Sequence, residues 1–193
     1  MRFAALILAV GLFAPAVPGA QMRAGERATF EVEQELLRLP SYGVFDHIAF
    51  GVDRGTVTLV GYSYNGGLKS HAARAVKRVP GVDTVENKIE QLPPSANDDR
   101  IRWATFYKIY GDDFLSRYSP GGAMTARYEL LQSQRFPGLQ PFGTYPIHIV
   151  VKNGRTTLVG VVDSQADKIV AEMRAREVTG VFSVASELVV NND

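Results

Sequence analysis

Gly55-Thr-Val-Thr-Leu-Val-Gly61 returns as Gly154-Arg-Thr-Thr-Leu-Val-Gly160, 99 residues further on. The same offset, without a gap, aligns Lys69 with Lys168, Ala72 with Ala171, Val79-x-Gly81-Val82 with Val178-x-Gly180-Val181, and Val85 with Val184. Ungapped identity at glycines and apolar positions marks two copies of one supersecondary unit.

Each copy reads the same way outward from that stretch. Ile48, Phe50 and Val52 alternate before it, and Val57, Leu59 and Gly61 alternate within it. Period-two alternation is a half-buried strand. Asp53-Arg54-Gly55 and Lys152-Asn153-Gly154 separate the strands. Asn-Gly between alternating runs predicts a tight hairpin, because both residues tolerate positive φ. Helical spacing follows in each copy, through Ala72, Ala73, Val76 and Val79, and through Ala166, Ile169, Val170 and Met173. Gly81 and Gly180 end those helices, and a last strand is predicted over 82–92 and 181–190. A further helix precedes each hairpin, over 26–39, where Pro40 stops it, and over 98–110.

The unit is therefore α-β-β-α-β, and the fold class is α+β: a three-stranded sheet covered by two helices on one face, built twice. The first unit spans 26–92, a Pro-rich linker 93–97, and the second unit 98–190. The second carries an insertion at about 119–146, with a short helix over 126–135.

The chain starts with Arg2, an apolar run over 3–13 and a small-residue zone ending Ala14-Pro-Ala16 and then Gly19-Ala20. This pattern predicts a signal peptide over 1–20, cleaved after Ala16 or Ala20, and export to the periplasm. The apolar run of eleven residues is too short to span a bilayer, so no transmembrane segment is expected in the mature protein. The 193 residues are 46% hydrophobic and 21% charged, the balance of a folded chain rather than a disordered one. With no cysteine there is no disulfide, thiolate nucleophile or lipid-bearing cysteine. Lys+Arg 21 against Asp+Glu 20 argues against a nucleic-acid partner.

The pattern Gly-x-x-x-Leu-x-Gly, a helix, and then Val-x-Gly-Val-x-x-Val resembles the BON domain. The second copy carries it as Gly154 to Gly160 and Val178-Thr-Gly-Val-Phe-Ser-Val184; the first keeps Gly55, Leu59, Gly61 and Val79-Pro-Gly81-Val. Two copies behind an export signal resemble the tandem-BON periplasmic proteins. The resemblance implies no catalytic residues and no cofactor. It implies attachment to phospholipid surfaces or envelope partners, in envelope maintenance or in stress and osmotic protection. The alternative is a protein–protein scaffold in an envelope complex, without lipid affinity.

Two surfaces are candidates for binding anionic phospholipid or an envelope protein. On the second unit, Trp103, Phe106, Tyr107, Tyr110 and Phe114 share one helical arc if the helix continues past Gly111, with Arg102 and Lys108 nearby. Exposed, these rings suit a membrane interface or a partner; alternatively the insertion folds back over them through Leu130, Leu131, Phe136 or Phe142. On the first unit, Lys69, Arg74, Lys77 and Arg78 form a basic face, and no acid occurs from Arg54 to Val82. Glu31, Glu33 and Glu35 of the preceding helix are expected to pair with it, or both faces to stay solvated.

Chemistry beyond binding is thinly represented. Gly61-Tyr-Ser63-Tyr-Asn65 only approaches a nucleophile elbow, and Ser63 is expected to serve the turn. His47, His71 and His148 are scattered, and no metal site is expected. Asp98-Asp99 is expected to charge a helix N-terminus. Gly61, Gly81, Gly160 and Gly180 recur for backbone shape.

Overall fold

The computed structural model describes residues 24–135, 140–141 and 144–191. The expected signal peptide, Phe136 and Phe142 lie outside the described residues. The first unit runs α1 (Ala24–Leu37), β1 (His47–Asp53), β2 (Thr56–Ser63), α2 (Leu68–Lys77) and β3 (Thr84–Gln91). The second runs α3 (Ala96–Tyr110), a 3-10 turn (Ser116–Tyr118), α4 (Gly122–Arg135), β4 (Ile147–Lys152), β5 (Arg155–Val162), α5 (Gln165–Arg176) and β6 (Ser183–Val190). Each unit holds one three-stranded sheet, ordered β1-β2-β3 and β4-β5-β6. The outer hairpin strand pairs antiparallel and the last strand returns parallel to the middle one. A parallel return needs a crossover, and α2 and α5 supply it. The fold is α+β, two units each with a three-stranded sheet and helices.

Local chemistry explains the elements. The hairpin turns place Arg54 at φ 44 and Gly55 at φ 78, and Asn153 at φ 53 and Gly154 at φ 73, the left-handed pair of a two-residue turn. Val57 and Leu59 face the first core together with Val32 and Leu36 of α1 and Ala72, Val76 and Val79 on and just after α2. The second core gathers Ile101, Phe106, Ile109, Tyr110, Ile147, Ile149, Leu158, Ala171 and Leu188. The buried face of α5 is Ala171 and Ala175, continued by Val178. Of the expected Ala166, Ile169, Val170 and Met173, Val170 packs against this core and the other three are exposed. Ile169 is 56% exposed and Met173 46%, because the repeat fixes the inward positions by their match to Ala72 and Val79.

One expectation in the second unit is corrected. α3 stops at Tyr110, where the Gly111 amide donates to Tyr107 and Ile109 carbonyls. Asp112 then accepts from the amides of Phe114 and Leu115, turning the chain away. Phe114 therefore does not continue the helical arc. The N-terminus of α3 is capped by Ser95, whose side chain accepts from Asp98 N. Asp98 itself is buried, and its carboxylate accepts from Asn153 N and Gly154 N, both at 2.9 Å. With Asp99 it stands in the first turn of α3, as expected of the pair, and it also clamps the second hairpin turn onto the helix.

The two units meet through the faces of their sheets that carry no helices. His47, Tyr62 and Glu90 form one row across the first sheet. On the second sheet, His148, Val150 and Lys152 point to the face opposite Ile149 and Val151, by strand alternation. Val150 is nevertheless only 4% exposed. Lys152 Nζ lies 2.5 Å from Glu90 and 5.7 Å from the Tyr62 ring, and His148 lies 6.4 Å from His47, ring to ring.

Candidate interaction surfaces

The aromatic arc of α3 forms the joint between the units. Phe106 and Tyr110 are fully buried and Arg102 is 1% exposed. Phe45, just before β1, sits at 0% exposure with its ring edge-on to Trp103 and Phe106. Arg102 stacks over Tyr64 at 4.9 Å and donates to Asp99 and to the carbonyl of Val151, each at 2.5 Å. The expectation that Phe106, Tyr110 and Arg102 present an exposed binding surface is thus corrected. The wide apolar arc exists because α3 has two partners, its own core and a segment of the first unit.

The same residues close the free edge of β4. An edge strand leaves alternate N–H and C=O groups unpaired, a template for unwanted pairing. Tyr110 Oη donates to the carbonyl of Ile147 at 2.6 Å and accepts from its amide at 3.0 Å. Ile149 N donates to Val44 O at 2.8 Å. Arg102 takes Val151 O. Each outward residue of the strand thereby makes at least one hydrogen bond, and one of the three partners comes from the first unit.

Two buried polar groups hold the crossing segment. Asp46 is fully buried and accepts from Gly43 N, Tyr64 N and Gln140 Nε2 at 3.0, 2.6 and 2.8 Å. Burial raises its pKa, and these hydrogen bonds offset part of that rise. His148 Nδ1 lies 3.2 Å from Gly43 O, and its ring stacks on Tyr42 at 5.1 Å. Burial, with His47 beside it, lowers its pKa to about 4. Burial also lowers that of His47, against the pull of Glu187. The expectation that the histidines are scattered holds for His71, which meets Ser41, but His47 and His148 come together across the joint.

What remains at the surface is smaller. On the expected aromatic arc, Tyr107 is 38% and Phe114 49% exposed, Trp103 is half-buried, and Lys108 pairs with Glu177 at 3.1 Å. Spacing within the insertion carries a surface not anticipated from sequence. α4 packs Ala126 inward and leaves Met124, Tyr128 and Leu131 at 75%, 59% and 53% exposure. These three follow i, i+4, i+7 spacing, so they share one helix face. Exposed Arg127 beside them makes no ion pair among the described residues. The insertion does fold onto α3, but Leu131 faces out.

On the first unit the basic residues are largely uncompensated. Glu31 pairs with Arg27, and Glu35 with Arg38, leaving Arg78 at 3.9 Å from Glu35. Lys77 Nζ donates to the carbonyl of Asp83. The side chains of Lys69 and Arg74 have no polar partner among the described residues. The expected pairing of this face with the acids of α1 reaches Arg78 alone. Ser63 is fully buried, and its hydroxyl has no hydrogen-bond partner among the described residues.

Gly61 and Gly160 have φ 124 and 138, and a Cβ there would overlap the carbonyl oxygens of His47 and Pro146. These glycines let two antiparallel strands approach at one point. Gly81 and Gly180 sit at φ 86 and 92 after the crossover helices.

The repeat, the alternating hairpins and these paired glycines have a counterpart in known sequences. The profile of the BON domain matches residues 26–93 and 133–192. The chain belongs to the BON domain family. The second match starts within α4, so the family profile leaves out α3 and with it the aromatic residues that α3 brings to the joint. No curated protein matches the chain. Among solved structures, CdsD, a structural protein of the type III secretion system of Chlamydia trachomatis, is 15% identical over 84% of this chain and 91% of that one, with a TM-score of 0.27. Its C-terminal domain is 14% identical over 84% of this chain and 96% of that one, with a TM-score of 0.26. At those scores neither likeness bears on the role of this chain. No helix among the described residues is long and apolar enough to cross a membrane.

Proposed function

We propose that this BON protein is an exported, non-enzymatic module of the periplasm that attaches to anionic phospholipid surfaces, in envelope maintenance or stress protection. The observation that supports this reading is the outer face of α4. Met124, Tyr128 and Leu131 form an apolar stripe on an insertion that the first unit lacks. Tyr suits the bilayer interface, with its ring in the acyl region and its hydroxyl in water. Arg127, without an acidic partner among the described residues, suits an anionic head group, at about 1 kcal/mol per basic residue near the surface. Three side chains over a short helix give shallow, reversible attachment, which fits a module that binds a surface without spanning it. The absence of a reactive centre is part of the proposal, and the burial of Ser63 supports it.

Flotation of the purified protein with phosphatidylglycerol-containing vesicles at low salt tests the reading. It predicts co-flotation that Met124→Glu with Tyr128→Glu abolishes. Protein remaining at the bottom of the gradient at low salt contradicts it and favours the scaffold alternative.

A further inference from the structure

The first unit carries a groove that the joint does not use. It is an open channel of about 600 Å³ between α2 and the start of β3. Arg74, Lys77 and Arg78 line the helix side, and Thr84 and Val85 line the strand side. Asp83 is the sole acid among these lining residues.

Its charge is available to a ligand. Arg74 is exposed and has no polar partner among the described residues. The hydrogen bond of Lys77 goes to a neutral carbonyl, so its charge is not cancelled. Arg78 is 72% exposed and only 3.9 Å from a shared glutamate. The strand side contributes differently. β3 is the outer strand of its sheet, so one side of its main chain faces away from β2. Further along, Asn87 closes that edge, its carbonyl oxygen accepting from Ile89 N at 3.2 Å and its amide donating to Lys69 O at 2.7 Å. The Thr84 amide is taken by Gly55 O at 3.1 Å, so by strand alternation the outward main-chain groups of this stretch are those of Val85, beside the cations.

The second unit treats the equivalent place otherwise. At the matching offset stand Met173, Arg176, Glu177 and Phe182, so of the three cations only one is kept and an acid replaces another. There Lys168 reaches over to donate to Leu188 O at 2.8 Å. The shared fold thus does not require the basic lining in the first copy.

A strand edge flanked by a helix is the geometry in which an extended peptide adds to a sheet: main-chain hydrogen bonds supply affinity and alternate side chains supply specificity. The residues flanking this edge are cationic, so alternate side chains of the added strand must be acidic. We propose that the groove between α2 and β3 receives an extended acidic segment of a partner protein as an added strand beside Thr84 and Val85, its carboxylates meeting Arg74 and Lys77. A bilayer meets cations on a convex face. Here they stand in an open groove beside a strand edge, whose main chain can bond a peptide and not a head group, which favours a peptide. The site lies on a different unit from the α4 stripe and does not depend on membrane attachment.

Amide chemical shifts of the purified protein, titrated with the capped alternating peptide Glu-Val-Glu-Val-Glu-Val, test this. Saturable shifts are expected at Thr84, Val85 and Glu86, with binding about tenfold weaker in Arg74→Glu with Lys77→Glu. The milder Arg74→Gln should weaken it less, with the amide spectrum otherwise unchanged. The proposal is overturned by no saturable shift at these amides. It is equally overturned by the same shifts from Lys-Val-Lys-Val-Lys-Val, or by shifts there from phosphatidylglycerol bicelles and none from the acidic peptide.

Discussion

The ring of Phe45 stands edge-on to the indole of Trp103, centroids 5.3 Å apart and planes inclined at 78°. The two residues belong to different repeats, and Phe45 is wholly buried there. An isolated unit of this size buries too little apolar surface to be robust. Lending Phe45 to the neighbouring core compensates both units at once. Replacing it by Ala should cost about 3–5 kcal/mol. Acrylamide quenching of Trp103 should then rise to that of an exposed indole while far-UV circular dichroism stays native. Unchanged quenching would show that Phe45 does not cover the indole.

Tyr110 serves the amide and the carbonyl of one residue, Ile147. Tyr110→Phe keeps the ring and deletes both bonds, leaving two buried main-chain groups unpaired. About 1–3 kcal/mol of destabilisation is expected. Hydrogen exchange should accelerate at Ile147 and not at Ile101, which lies in the same core.

Acidification should weaken the joint through His148. Its folded pKa is lowered to about 4, against about 6.5 unfolded. Between those values the unfolded chain binds the extra proton, so stability is complete above the unfolded value and is lost as pH falls towards 4. The loss from this residue is at most about 3 kcal/mol. His47 acts in the same direction, opposed by Glu187. Asp46 opposes both: burial raises its pKa, so it gains a proton more readily folded and adds stability as pH falls. Denaturant midpoints between pH 4 and 7 should therefore rise with pH, and His148→Gln should flatten that slope. An identical slope in the variant would remove His148 from the account.

Gly160→Ala should destabilise by about 2 kcal/mol or more, since the new Cβ meets the main chain of Pro146 in a left-handed region. Gly81→Ala meets open space and carries only the φ penalty, about 1 kcal/mol. Thermal melts of the two variants should rank in that order.

The repeat made the sheets legible, because strand alternation and turn glycines are local signals. The same logic placed Gly61 and Gly160 as shape residues. The joint was not legible. Whether Phe106 and Tyr110 face solvent or a neighbour depends on Phe45, some sixty residues away, and helical spacing registers an apolar face without saying what covers it. His47 and His148 are 101 positions apart and meet only because two helix-free sheet faces stack. Phe114 misled for a nearer reason: Gly111 and the side chain of Asp112 end the helix one turn before it. The α4 stripe could have been found, since Met124, Tyr128 and Leu131 already have helical spacing in the sequence.

The central structural claim is that the two BON units form one cooperative body through Phe45 and the sealed edge of β4. Urea unfolding followed together by Trp103 fluorescence and far-UV circular dichroism tests it most directly. A locked pair predicts one transition, superimposable in both signals. Two transitions, with one unit losing its secondary structure while Trp103 keeps its native emission, would contradict it.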